Sequence, residues 1–155
     1  MIRTYKTVEE FKAAPKHPIL LVLDNIRSLN NVGSFFRTAD SFLLEKIYLC
    51  GITGKPPHRE IEKTALGATL SVDWEYYSDT ADVIKKLQDD NYRIIAVEQH
   101  PKSISLQNIK IENNEKIALV FGNEVTGLSE NIISLCSEVV EVPQMGTKHS
   151  LNVAV

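Results

Sequence analysis

Three observations predict an α/β fold built on a single parallel sheet. About six apolar runs of strand length recur along the chain, and they alternate with segments of helical periodicity. The runs are rich in branched residues, as at Ile19–Leu23 and Ile117–Phe121, which is the pattern of strands covered on both faces. A chain of 155 residues, 43% hydrophobic and 24% charged, supports one buried core and is too short for two ordinary domains. Strands joined by helices make right-handed crossovers, and such crossovers make the sheet parallel.

The elements follow in order. Thr7 and Glu10 have capping-box spacing ahead of a short helix that closes near Pro15. Ile19–Leu23 is the first strand, and a helix opens at Asn31 with Phe35, Phe36, Ala39, Phe42 and Leu43 toward the core. Arg37 falls on another side of that helix. A cation so near a helix N-terminus opposes the dipole, so an acidic neighbour is expected. Lys46–Cys50 is the second strand, Gly51–Pro57 a turn-rich loop, and His58–Leu66 a short helix. Gly67-Ala68 leads into a third strand over Leu70–Trp74, and Ser78 caps an amphipathic helix that packs through Ala81, Val83, Ile84 and Leu87. Arg93–Val97 and Ile117–Phe121 are further strands, separated by a polar connection over 102–115. Ser129 opens a helix to Cys136, Val139–Val142 is the last strand, and Pro143 ends its hydrogen-bond ladder.

Several function classes are excluded or disfavoured by what the chain lacks. The first strand is followed by a segment with one glycine instead of a G-x-G-x-x-G turn, and no P-loop or G-x-S-x-G elbow occurs. Cys50 and Cys136 are the only cysteines, without metal-ligand spacing, and read as free thiols of a reducing compartment. No apolar run reaches signal-peptide or membrane-span form, so a cytoplasmic protein with neither membrane nor metal partner is expected. The net charge of −3 does not itself point to nucleic acid, although local clustering survives an acidic total.

Candidate ligand groups sit at strand carboxyl ends, where open α/β sheets bind ligands. Gly122-Asn123-Glu124 follows one strand directly; Gln144–His149 follows the last and leads into Ser150-Leu151-Asn152. Either loop alone is also compatible with an ordinary strand-to-helix turn. Glu98–Pro101 is expected to wall a pocket, whereas His100 has no identified partner. Lys55, His58, Arg59 and Lys63 form the densest basic segment. An RNA-contacting loop and a solvated face balanced by Glu60 and Glu62 both fit it.

Taken together, FGNEVTGLS and VPQMGTKHSLNVAV, with Asn31-Val32-Gly33 and Arg37-Thr38-Ala39 upstream, resemble in order and spacing the three motifs of the SpoU (TrmH-like) branch of the SPOUT RNA methyltransferases. The segment KTALGATLSV is similar as well, and the resemblance runs from about Leu20 to Val155. It implies a SPOUT fold with a C-terminal trefoil knot, a homodimer, and S-adenosylmethionine-dependent methylation of a ribose 2′-hydroxyl in tRNA or rRNA. Carried over by position, Asn31, Arg37, Glu124, Ser150 and Asn152 are the catalytic set. Val97, Glu98, Gly122, Val142, Gln144, Met145 and Leu151 hold the cofactor. Glu124 is expected to orient Arg37 or Asn31, and Arg37, a guanidinium that stays protonated, acts either as the family's proposed base or as an electrostatic stabiliser. The family continues past the Ser-Leu-Asn motif into an apolar helix, so the resemblance implies one domain over residues 1–155 without its last helix. The competing reading is a non-catalytic RNA- or nucleotide-binding module that keeps the pocket.

Overall fold

The computed structural model describes residues 4–155. Helix α1 (Val8–Ala13) precedes strand β1 (His17–Asp24), helix α2 (Leu29–Ser41), strand β2 (Leu44–Cys50), helix α3 (Arg59–Ala65) and the short helix α4 (Ala68–Ser71). Strand β3 (Trp74–Tyr77), helix α5 (Thr80–Asp89), strand β4 (Arg93–Val97), the two-residue β5 (Ile104–Ser105), strand β6 (Ile117–Phe121), helix α6 (Glu130–Leu135) and strand β7 (Glu138–Glu141) complete the order. All seven strands join one sheet in the order β3-β2-β1-β6-β4-β7-β5, and every paired neighbour is parallel.

Strand alternation divides the core into two layers. Leu21 and Leu23 of β1 face Val32, Phe35, Phe36 and Ala39 of α2, while Leu20 and Val22 face the opposite layer, where Val83, Ile84 and Leu87 of α5 and Ile132 and Ile133 of α6 pack. All of these side chains are buried. The removal of so much aliphatic surface from water is the main stabilising term, roughly 1.5–3 kcal/mol per fully buried large side chain. At the far end of the sheet Arg93 bridges Glu115 at 3.1 Å and also bonds Glu138, which ties β4 to β7.

This topology makes a crevice. β1 and β6 are neighbours, yet α2 leaves β1 toward one face and α6 leaves β6 toward the other. The loops after these two strands therefore diverge at a switch point, where α/β sheets bind ligands outside their carboxyl ends.

The structure corrects several boundaries. Ser28, not Asn31, caps α2: its hydroxyl accepts the Asn31 amide at 3.1 Å, so the helix starts two residues earlier. Phe42 closes that helix and is 66% exposed, outside the core. The third strand is not Leu70–Trp74. Leu66 and Gly67 have φ of +51° and +90° and reverse the chain, 68–71 forms a helical turn, Leu70 is exposed, and pairing begins only at Trp74. Asp79 caps α5 in place of Ser78, since its carboxylate accepts the Ala81 amide at 2.9 Å. β7 ends at Glu141 and leaves Val142 beyond the ladder. The 102–115 connection contains β5 and a 3₁₀ turn over Leu106–Asn108, too short for periodicity to reveal. Residues 150–155 hold one turn, with the Val155 amide donating to the Asn152 carbonyl at 2.9 Å, and no helix; so few residues rarely sustain one.

Candidate active site

The crevice is organised by Glu124. Its Oε2 accepts the Arg27 amide at 2.8 Å, and its Oε1 accepts the Ser28 amide at 3.1 Å and the Asn31 side-chain amide at 3.2 Å. Burial works to raise its pKa, but these donors outweigh it and hold the carboxyl below its ordinary value. Glu124 is thus an anion at neutral pH that fastens the loop after β6 to the start of α2.

Its neighbours brace the same junction. Asn123 Nδ2 donates to the Asn25 carbonyl at 2.8 Å, while its Oδ1 accepts the Val125 and Thr126 amides. Gly122 is required by space: a Cβ there would lie 2.7 Å from both the Gly127 carbonyl carbon and the Leu128 nitrogen. Glu98, expected as a pocket wall, braces the far side of this loop: its Oε2 accepts the Leu128 amide at 2.9 Å. His100 does have a partner. Its Nδ1 accepts the Lys102 amide at 3.1 Å, so Nε2 carries the hydrogen toward Glu130 at 3.0 Å.

The tail after β7 lies against the same end of the sheet. Gln99 Nε2 donates to the His149 carbonyl at 2.6 Å, and Val153 and Ala154 pack on the α2 side of the core. Ser150 and Asn152 are exposed, and Asn152 Oδ1 accepts the Ala154 amide at 2.8 Å. Val142, Met145 and Leu151 present apolar side chains to solvent, Met145 at 94% exposure. Val97 and Gln144 are half-buried.

Arg37 stands apart. It is exposed on α2 and in no ion pair among the described residues, so the expected acidic neighbour is not found; Asp40 accepts from the Ser71 hydroxyl instead. Of the two groups Glu124 was expected to orient, it takes Asn31 and leaves Arg37 unbound. In the basic segment, Lys55 Nζ sits 4.3 Å from the Tyr76 ring centroid, His58 caps α3 by accepting the Glu60 amide at 3.1 Å, and Lys63 pairs loosely with Glu60 at 3.8 Å. Arg59 is exposed.

A cleft of about 330 Å³ opens between the two loops, lined by Arg27, Ser28, Glu124 and Val125. Val97, Val142, Met145 and Leu151 do not line it. Arg27 and Ser28 were absent from the sequence expectations, although their place just after a buried strand was the available signal. Among the described residues no group of three His, Cys, Asp or Glu side chains could hold a metal ion.

A parallel α/β sheet with loops converging at its switch point places the chain in the class of α/β proteins whose strand ends offer a ligand site. The particular lineage is specific: the chain belongs to the SpoU rRNA Methylase family, whose model matches residues 18–155. It is 31% identical over 137 residues to a tRNA (guanosine(18)-2′-O)-methyltransferase of Borreliella burgdorferi, a match covering 88% of this chain and 61% of that one. It is 27% identical over 143 residues to the 23S rRNA (guanosine-2′-O-)-methyltransferase RlmB of Escherichia coli, covering 92% of this chain and 58% of the relative. The chain thus spans about three-fifths of the length of these relatives. In fold it resembles an AdoMet-bound rRNA methyltransferase from Sinorhizobium meliloti, with a TM-score of 0.82, 24% identity, and coverage of 98% and 57% of the two chains. A TrmH/SpoU tRNA modifying enzyme of A. aeolicus gives 0.82 at 21% identity, covering 95% and 73%.

Proposed function

We propose that this chain carries S-adenosylmethionine-dependent methylation of a ribose 2′-hydroxyl in tRNA or rRNA, acting as a cytoplasmic homodimer. The observation that carries the reading is the Glu124 junction. It brings Asn31 and Glu124, 93 positions apart in the chain, into hydrogen-bond contact at the switch point, with Arg37 further along the same helix. The activities of the relatives, tRNA and 23S rRNA 2′-O-methylation, agree with that chemistry.

The residues present fit the cofactor. Val142, Met145 and Leu151 expose apolar surface on the tail that follows β7, the sheet neighbour of β4, and this suits an adenine ring and a thioether chain. With Val97, Glu98, Gly122 and Gln144 they would form its site, the tail threading the sheet end as a trefoil knot. When bound, S-adenosylmethionine supplies an electrophilic methyl group on a sulfonium. The protein's own work is to place a ribose oxygen in line with that methyl, and positioning of this kind supplies much of a barrier reduction.

Proton release from the 2′-hydroxyl completes the balance. The proton passes to solvent water, while the guanidinium of Arg37 holds an RNA phosphate and stabilises the developing oxyanion. Asn31 orients the ribose, held in place by Glu124, and Ser150 and Asn152 add polar contacts from the tail. Lys55, His58, Arg59 and Lys63 offer the flanking RNA a basic surface.

The test is calorimetric titration with S-adenosylhomocysteine, followed by methylation of unmodified tRNA and rRNA transcripts with mapping of the modified sugar. Binding with ribose methylation is the expected result. Binding without any methylation would make the chain the non-catalytic module, and no binding would remove the cofactor assignment.

A further inference from the structure

A second cleft, also about 330 Å³, lies on the other side of the ridge that Glu124 organises. The ridge consists of residues 25–28 and 122–128, stitched by Asn123 Nδ2 to the Asn25 carbonyl at 2.8 Å. Glu124 and Val125 face the first cleft; Thr126 and Gly127 face the second. The second cleft reaches under the carboxyl ends of β1 to β3 and the start of α5, through Asp24, Gly51, Ser78 and Asp79.

Its chemistry differs from that of a phosphate site. Two carboxylates and no lysine or arginine line it, so a phosphodiester would be repelled. Asp24 accepts the Thr80 hydroxyl, and Asp79 Oδ1 accepts the Ala81 amide at 2.9 Å. The side chains of Ser78, Thr126 and Asn131 make no hydrogen bond among the described residues. A carboxylate flanked by neutral hydroxyl and amide groups, in a space of this size, suits a planar ring that offers amino hydrogens.

Resting on the RNA reading of the first cleft, we propose that the second cleft receives the base of a nucleotide adjacent to the modified one. It prefers bases with an exocyclic amino group, cytosine, guanine or adenine, over uracil, and the Asp79 carboxylate accepts the amino hydrogens. Carboxylate-to-cytosine N4 recognition is the established pairing of these groups. The 122–128 loop contributes residues to both clefts, so a strand crossing it would present neighbouring nucleotides to the two. The acidic lining keeps the sugar-phosphate chain outside and admits only the base.

The experiment uses the whole chain, isotopically labelled, titrated separately with cytidine and with uridine, which differ at ring position 4 by an amino group against an oxygen. Cytidine is expected to move the backbone resonances of Ser78, Thr126 and Asn131 and to bind at least fivefold more tightly than uridine. Asp79→Asn, which keeps the cap acceptor, should remove that preference, and Asn131→Trp should block both nucleosides. No shifts at these residues, equal affinities, or a preference that survives Asp79→Asn would overturn the proposal. S-adenosylhomocysteine is titrated in parallel and read at Gly122 and Val142: failure there with cytidine preference intact defeats the methyl-transfer reading, and the converse defeats only this one.

Discussion

Glu124 accepts the Asn31 side-chain amide at 3.2 Å, across 93 residues of sequence, and this one contact joins the loop after β6 to the first turn of α2. Replacing the carboxylate by Glu124→Gln keeps its size and removes the charge that gathers three N–H donors. Methyl transfer should fall at least about a hundredfold because Asn31 loses its anchor. Stability should fall by only about 1 kcal/mol, since Glu124 is exposed and solvent screens its bonds. Steady-state kinetics beside urea unfolding separates the two effects.

The same carboxylate sets an acid limit. Its native pKa lies below the unfolded one, so its contribution is complete above the ordinary glutamate value of about 4.3 and is lost as pH falls through the depressed native value. Unfolding free energy measured from pH 7 to pH 3 should decline more steeply for the native chain than for Glu124→Gln. Parallel curves would show that the junction adds no pH dependence.

Asp24 carries the opposite sign. Burial, opposed by the Thr80 hydroxyl bond and reinforced by Asp79, pushes its carboxyl up. Its ionised form therefore destabilises the fold at neutral pH, and the penalty is relieved as pH falls through the raised native value toward the unfolded one. Asp24→Asn should raise the melting temperature at pH 7, with the gain shrinking toward pH 4; thermal scans across that range check the sign.

Gly122→Ala tests packing. The added methyl would stand 2.7 Å from backbone atoms of Gly127 and Leu128, which cannot rotate away as a side-chain tip could. A loss of about 2–3 kcal/mol is expected from overpacking against backbone. A variant with native stability would show that the 122–128 loop yields freely.

Arg37→Ala should abolish methyl transfer, a loss of at least about a hundredfold, while S-adenosylhomocysteine affinity stays within about twofold. Arg37 is exposed and bonded to no acidic group among the described residues, so its removal should leave the melting temperature unchanged. A variant that turns over its RNA at the native rate would take Arg37 out of the mechanism.

The sequence by itself determined the element types that strong apolar patterns encode. Ile117–Phe121 and Arg93–Val97 were legible as strands because branched residues on both faces leave few alternatives, and the Thr7 and Ser129 caps because local spacing settles them. The motif residues were named by resemblance. What only the tertiary structure decided was their partnership. That Glu124 holds Asn31 and the Arg27 and Ser28 amides depends on β1 lying beside β6, a pairing no local pattern announces. The misplaced third strand has the same origin. Four residues at 68–71 suit a strand or a helical turn equally, and packing of Ala68 and Val72 beneath α2, with Ser71 bonded to Asp40, selects the turn. Short-range chemistry chose the elements, whereas long-range contacts, each worth little until the sheet closes, chose their neighbours and so built both clefts.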